Sequence, residues 1–488
     1  GGFPPHPGEH EQLLHGGGHG SAIDLQQHLG GRHDVPGFCP EKACGVDDLL
    51  HLAHIGLGQG LQRGLRAVHR HRGLFQKHGK ARNVVGVLVR HQHAAKLFCL
   101  CAKLPQNIRE DKFYIKVADT RLALRDLASA YRDRFEIPFV QITGSVGKTT
   151  TKEMIAAVLG AKLNVLKTPE NFNNDIGTPL TLLGLAPEHE AAVIETGMNH
   201  FGEIEYLGAM VRPDIAVISN IGDAHIEYLG SREGILKAKC EIFEHLKADG
   251  VAILNGDDAL LDTVTLPQRI VRCGQSEHCK TRISDIVDHG VDGITCTVTT
   301  ARDTYALTIP APGEHMAYSA SMAVAVGEEL GLSREEIVRG VAAYEPTGSR
   351  MRVIRLPGGR VLLDDCYNAN PQSVTAALEV LGRTDCERRV AVLGDMGELG
   401  DLTDQAHFNA GALAAMLGID FVIAIGSKAA RIADGAAMSG GDVVHFATKE
   451  EALPTVREQL RPNTSMLIKA SHSMRFERLT EDLRKYYD

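Results

Sequence analysis

The sequence has no run approaching the ~18 consecutive apolar residues that would suggest a membrane-spanning helix. It has no basic surplus: 52 Lys and Arg against 61 Asp and Glu leave a formal charge of −9, where a nucleic-acid surface wants a basic face. Its ten cysteines form no regular framework beyond residue 110, which favours reduced thiols over a disulfide scaffold. No stretch combines a charged start, an apolar core and a small-residue cleavage site, as a signal peptide would. A cytoplasmic protein, monomeric, with no membrane span and no nucleic-acid partner, is the expectation. At 43% hydrophobic and 23% charged, 488 residues suffice for more than one globular core. Anionic substrates of so acidic a chain must be met by local positive groups.

The chain has two textures. Thirteen of the 23 histidines and 18 of the 51 glycines precede residue 100, and the first methionine is Met154. "HGGGHG" and "VHRHRG" carry the period of neither strand nor helix. Cys39, Cys44, Cys99, Cys101, His91 and His93 could be read as a metal site, but their pairs sit in no zinc-ribbon or finger spacing. Disorder, or a segment outside the natural reading frame, is the reading preferred for 1–112, and no chemistry is assigned there.

From about residue 113 the sequence turns to strands alternating with helices, which predicts a mainly parallel sheet covered on both faces. "IPFVQITG", "AAVIETG", "IAVISNI" and "GVAILNG" read as buried strands, and "GITCTVTT" with "TYALTIPAP" as a small antiparallel patch. After a hinge near 345–350 the alternation restarts with "VLLDDCY", "RRVAVLG", "FVIAIG", "VVHFA" and "SMLIKAS". The expected division is an anomalous segment (1–112), a central nucleotide-binding α/β domain (113–347) and a C-terminal Rossmann-like α/β domain (348–488).

The chemistry starts at "ITGSVGKTTTKEM". Gly144 and Gly147 let backbone amides of the loop, through Ser145 and Val146, converge on an anion. The helix that follows adds its N-terminal dipole and Lys148 a full charge. Thr149, directly after the lysine, stands where a magnesium ligand is wanted, with Thr150 beside it. The ordinary P-loop has a glycine five residues before the Gly-Lys pair, and here that position is Ile142. Glu195 ends a strand and is either a solvated strand end or a metal ligand. His225 after the next strand is a turn residue or a ligand. Lys237 and Lys239 lie on a helix, on a solvated face or, for one of them, near a metal as a carbamate. In "LLDDCYNANPQS", Asp364, Asp365, Asn368 and Asn370 crowd one turn, more than a helix cap requires, which favours a ligand-binding loop.

These residues, in this order, resemble the Mur ligases, ATP-dependent amide-bond-forming enzymes of peptidoglycan precursor synthesis, whose short Gly-x-x-Gly-Lys-Thr loop matches Gly144 to Thr149. "ENFNNDIGTPLTLL", "IETGMNHFGEIEYL" and "LLDDCYNANPQSVTAAL" place the likeness, which spans about 113–488, in the branch that joins D-alanyl-D-alanine to UDP-N-acetylmuramoyl-tripeptide. The resemblance implies ATP and Mg2+ as cofactors. Lys148 and the loop amides would hold phosphates. Thr149, Glu195, His225 and a carbamylated Lys239 would serve the metal. His315, Arg350 and Asp365 would contact ATP, and Asn173, Asn174, Asp175, Asn368, Asn370 and Ser471 would contact the other substrates. Two departures stand out. Met316 and Ser319 occupy positions where the family usually has asparagine, and residues 1–112 do not resemble the family's UDP-binding domain. The competing reading is therefore a nucleotide-binding protein without ligase turnover.

Overall fold

The computed structural model describes residues 84–91, 94–104, 106 and 112–487. A small sheet comes first: Val84–His91 (β1) antiparallel to Ala94–Cys101 (β2), and β2 parallel to Lys112–Lys116 (β3).

The central sheet has nine strands: Phe139–Thr143 (β4), Val165–Lys167 (β5), Ala191–Glu195 (β6), Ile215–Ile218 (β7), Val251–Asn255 (β8), Arg269–Gly274 (β9), Thr281–Asp288 (β10), Ile294–Thr299 (β11) and Thr304–Ile309 (β12). Their order is β12-β11-β10-β9-β8-β7-β4-β6-β5, parallel from β5 to β10 and antiparallel at the β10-β11-β12 edge. Every residue of β4, β6 and β7 is buried, because helices cover both faces. Helices Lys148–Gly160 and Met316–Glu329 pack on one face through Met154, Ile155, Val158 and Met322. On the other face Leu124, Leu182, Leu207 and Met210 close over Phe139, Ala192 and Ile194.

The chain leaves β4 towards β5 and β6, then crosses to β7 on the other side. Such a reversal opens a crevice at the C-terminal strand ends, and the loops after β4, β6 and β7 all meet there.

The C-terminal sheet contains Arg352–Leu356 (β13), Arg360–Asp364 (β14), Arg388–Gly394 (β15), Phe421–Ile425 (β16), Val443–Phe446 (β17) and Thr464–Lys469 (β18), in the order β13-β14-β18-β15-β16-β17. Only the β13 edge is antiparallel. Among the described residues no helix is long and apolar enough to cross a membrane.

The fold is mixed, mainly parallel α/β, as read from sequence, and every strand named there is present. The antiparallel patch turns out to be the edge of the central sheet, not a separate unit. Seven strands among the described residues went unread: β1, β2, β3, β5, β9, β10 and β13. β5 is three residues long and half exposed. β13 interleaves Arg352 and Arg355 with its apolar residues, and β9 and β10 are likewise half exposed. β1 and β2 lie inside the stretch read as irregular up to residue 112, since histidine and glycine content masked the apolar runs "VVGVLV" and "LFCLC". Cys99 and Cys101 are buried, and Cys101 donates to the Ile115 carbonyl at 3.6 Å. Burial raises the pKa of the Cys101 thiol, and Cys99 adds to the effect. Cys99 and Cys101 thus lie in a packed core; Cys39, Cys44, His93 and the side chain of His91 lie outside the described residues.

Candidate active site

Gly147 caps the helix Lys148–Gly160 at φ 75, in the left-handed region where glycine carries no steric penalty. A Cβ on Gly144 would come within 1.9 Å of Ser219 Oγ, so the loop presses directly on the end of β7. The next loop braces it: Asn220 Oδ1 accepts from the Val146 amide at 3.0 Å, and Asn220 Nδ2 donates to the Val146 carbonyl at 3.0 Å. Ser145 Oγ accepts from the Gly222 amide at 2.8 Å. Lys148 Nζ donates to the Gly144 carbonyl at 2.8 Å. Its side chain is partly open to the cleft, yet the enclosing walls lower its pKa. Glu195 opposes that effect and Arg350 adds to it.

Glu195 is fully buried at the end of β6. Its Oε2 accepts from Thr149 Oγ1 at 2.8 Å and its Oε1 from Asn173 Nδ2 at 2.9 Å. Lys152, one helical turn beyond Thr149 and 0% exposed, stands 3.7 Å from Glu195 Oε2. Lys152 Nζ also donates to the Thr168 carbonyl at 2.7 Å and lies 3.0 Å from Glu153 Oε1. The same Thr168 accepts the Glu195 amide on its hydroxyl at 2.9 Å.

His225 has φ 66, and its Nδ1 lies 2.6 Å from Glu398 Oε2, a close contact not aligned as a hydrogen bond. That contact, with burial opposing it, holds the Glu398 carboxyl below its ordinary range. Lys239 is 1% exposed, whereas Lys237 on the same helix is exposed. Burial and the Lys148 charge push the Lys239 pKa well down, towards the neutral amine.

Across the cleft, the Arg350 guanidinium carbon lies 3.8 Å from the Tyr367 ring centroid. Asp365 accepts from Lys469 Nζ at 2.5 Å and from the Met351 amide at 3.0 Å, and Lys469 also donates to the Asn368 carbonyl at 3.1 Å. Asp364 is buried and paired to Arg352 at 2.9 Å, a fold contact. Asn370 turns out to be the cap of helix Pro371–Arg383, its Oδ1 accepting from the Ser373 amide at 2.9 Å. Asn174 Oδ1 accepts from the Gly177 amide at 2.8 Å where the helix Gly177–Leu182 begins, and Asp175 pairs with Arg121 at 2.8 Å.

All these walls enclose one cleft of about 1140 Å³. Every site residue anticipated from sequence lines it, including Thr150 and His315, except Gly144, Lys237, Lys239, Asp364 and Ser471. Gly144 opens the glycine loop and packs against Ser219. Ser471 is buried, its amide donating to the Asp395 carbonyl at 3.0 Å.

Residues 142–327 match the Mur ligase middle domain, and residues 349–472 match the Mur ligase, glutamate ligase domain. A Bacillus subtilis protein named UDP-N-acetylmuramoyl-tripeptide--D-alanyl-D-alanine ligase is 39% identical over 380 residues, covering 77% of this chain and 82% of its own. The chain belongs to the Mur ligase family. Among solved Mur ligases, MurF from Acinetobacter baumannii superposes with a TM-score of 0.73 at 34% identity, covering 79% of this chain and 84% of the other. MurF from Thermotoga maritima, solved in complex with ADP, gives a TM-score of 0.70 at 26% identity, covering 79% and 88%.

Five residues of this Mur ligase site were not singled out from sequence: Lys152, Asn220, Tyr367, Glu398 and Lys469. Two left a trace. Lys469 closes the apolar run "SMLI" as a cation at a strand end, and Lys152 sits in a helix buried on nearly all sides. A buried lysine calls for a carboxylate partner. The Thr149 hydroxyl, Glu195 carboxylate and His225 imidazole are donors that fit a magnesium ion. Among the described residues no group of three or more His, Cys, Asp or Glu is placed to hold a metal.

Proposed function

We propose that this chain is an ATP-dependent ligase that adds D-alanyl-D-alanine to UDP-N-acetylmuramoyl-tripeptide, acting as a cytoplasmic monomer, with residues 113–347 binding ATP and 348–488 completing the site. The observation that carries the reading is the shared cleft. Phosphate loop, buried Glu195 and His225 stand on one wall, and Arg350, Asp365 and Asn368 on the other. The name of the Bacillus subtilis relative gives the substrates.

The tripeptide's terminal carboxylate attacks the γ-phosphorus of ATP, forming an acyl phosphate and releasing ADP. The amine of D-alanyl-D-alanine then attacks that carbonyl carbon, losing a proton as inorganic phosphate departs. Two anions meet in the first step, so cations have most of the work. Lys148 leaves the Gly144 carbonyl for the β- and γ-phosphates, and Arg350 reaches them from the opposite wall. Thr149, Glu195 and His225 would hold magnesium, which when bound would neutralise phosphate charge and polarise the transferred group. Lys239, whose pKa burial pushes down, would as the neutral amine add carbon dioxide to give a carbamate and a proton, supplying a fixed negative ligand. Asp365, oriented by Lys469, is set for the ribose, and Asn368 for the incoming dipeptide. Approach of the two walls excludes water that would hydrolyse the acyl phosphate.

The test is phosphate release by the full chain. It is expected only when ATP, UDP-N-acetylmuramoyl-tripeptide and D-alanyl-D-alanine are all present. Release with L-glutamate or diaminopimelate as acceptor, or release indifferent to both substrates, would overturn the assignment.

A further inference from the structure

The loop carrying His225 is gripped from the C-terminal side of the cleft at two points. Gln372, in the first turn of helix Pro371–Arg383, donates to Asp223 Oδ2 and accepts the Asp223 amide at 3.4 Å. Glu398, in the loop after β15, brings Oε2 to 2.6 Å from His225 Nδ1. The turn Gly400–Leu402 then packs on the short helix Ile226–Leu229, with Gly400 against the Glu227 side chain. His225 at φ 66 and Glu398 at φ 61 are both non-glycine residues in the left-handed region, a conformation that persists only where surroundings enforce it. Two such residues, from different sheets, meet side chain to side chain.

A metal-binding imidazole is oriented by the partner of its other ring nitrogen, most often a carboxylate or a carbonyl. With Glu398 at Nδ1, Nε2 is the nitrogen left for a ligand in the cleft that His225 lines. We propose that Glu398 is a positioning residue that couples approach of the two sheets to metal binding. Its carboxylate, in contact with Nδ1 at 2.6 Å, limits the orientations open to the His225 ring, so the metal site is complete only when the C-terminal sheet lies against the phosphate loop. This rests on the reading of His225 as a magnesium ligand.

The test uses the full chain, Mn2+ as an electron-paramagnetic probe and a non-hydrolysable ATP analogue. Glu398→Ala is expected to weaken Mn2+ binding about tenfold, in line with the loss of a ligand's outer partner. Glu398→Gln, which keeps size and polarity, should lose less. Neither substitution should matter in a His225→Ala background, and binding of the analogue without metal should be unchanged. Wild-type Mn2+ affinity in Glu398→Ala, or an undiminished loss when His225 is already absent, would overturn the proposal alone. Failure of the wild-type protein to take up Mn2+ with the analogue would overturn the magnesium reading and this inference with it.

Discussion

Replacing Lys152 with methionine isolates one buried charge. The thioether fills much of the volume of the lysine stem, so the change removes an ammonium and its hydrogen bond while opening little cavity. Three groups lose a partner: the Thr168 carbonyl at 2.7 Å, Glu153 at 3.0 Å and Glu195 at 3.7 Å. Breaking a buried pair by deleting one member costs about 3–5 kcal/mol. Here Glu153 retains Lys167, and Glu195 retains Thr149 and Asn173, so the lower end, about 3 kcal/mol, is expected. A protein with several cores need not unfold in one step, and the chain has no tryptophan to report on one of them. Hydrogen exchange on β4 and β6 peptides reads the affected core directly. At 1.4 kcal/mol per tenfold, protection there should fall by roughly 100-fold, with β15 and β16 unaffected. Adding Glu153→Gln should restore part of it by removing a buried carboxylate that has lost one of its two cations. Protection within about threefold of wild type would mean that Lys152 is a solvated side chain in practice, and that its buried pairing with Glu153 and Glu195 carries no stability.

What could be read in the sequence was local. β4, the glycine loop and Lys148–Thr149 lie within a dozen residues, and an apolar run ending in Gly-x-x-Gly-Lys-Thr can satisfy its backbone and its charge in few other ways. Glu195 and His225 were legible as strand-end residues because the parallel sheet sends every strand's C-terminal end to one crevice. The partners were not. Glu398 sits in "GELG", a loop with no period, and meets His225 only through the placement of two separate sheets. Asn370 shows two uses of one side chain. It was singled out because four polar side chains exceed the needs of a cap; its oxygen makes that cap, and the residue lines the cleft beside Asp365 and Asn368. Composition misled at β1 and β2, where histidine and glycine counts over a hundred residues outweighed two apolar runs of strand length.

Lys239→Ala should lower ligase turnover by about 10²–10³, the scale for losing one fixed group at a charge-developing centre. Formate or acetate should restore part of it by supplying the missing carboxylate, and a fully active variant would rule out a carbamate. The other prediction concerns pH and His407, which is fully buried in the helix Thr403–Met416. Its Nε2 accepts from the Met396 amide at 2.9 Å, so Nδ1, 2.6 Å from the Thr403 carbonyl, carries the proton of a neutral ring. Burial pulls its pKa below the ordinary 6.5, against the Thr403 hydrogen bond and Asp395, which raise it. A second proton could go only on Nε2, where it would face the Met396 N–H. The unfolded chain therefore binds a proton that the folded chain refuses. The stabilisation is complete above pH 6.5 and is lost as the pH falls through the folded-state value. Urea midpoints reported by β15 and β16 exchange should thus decline below pH 6.5, and the His407 ring, followed by NMR, should still be neutral there. A ring titrating at or above 6.5 would refute the tautomer, because Nε2 could not then be accepting from the Met396 amide.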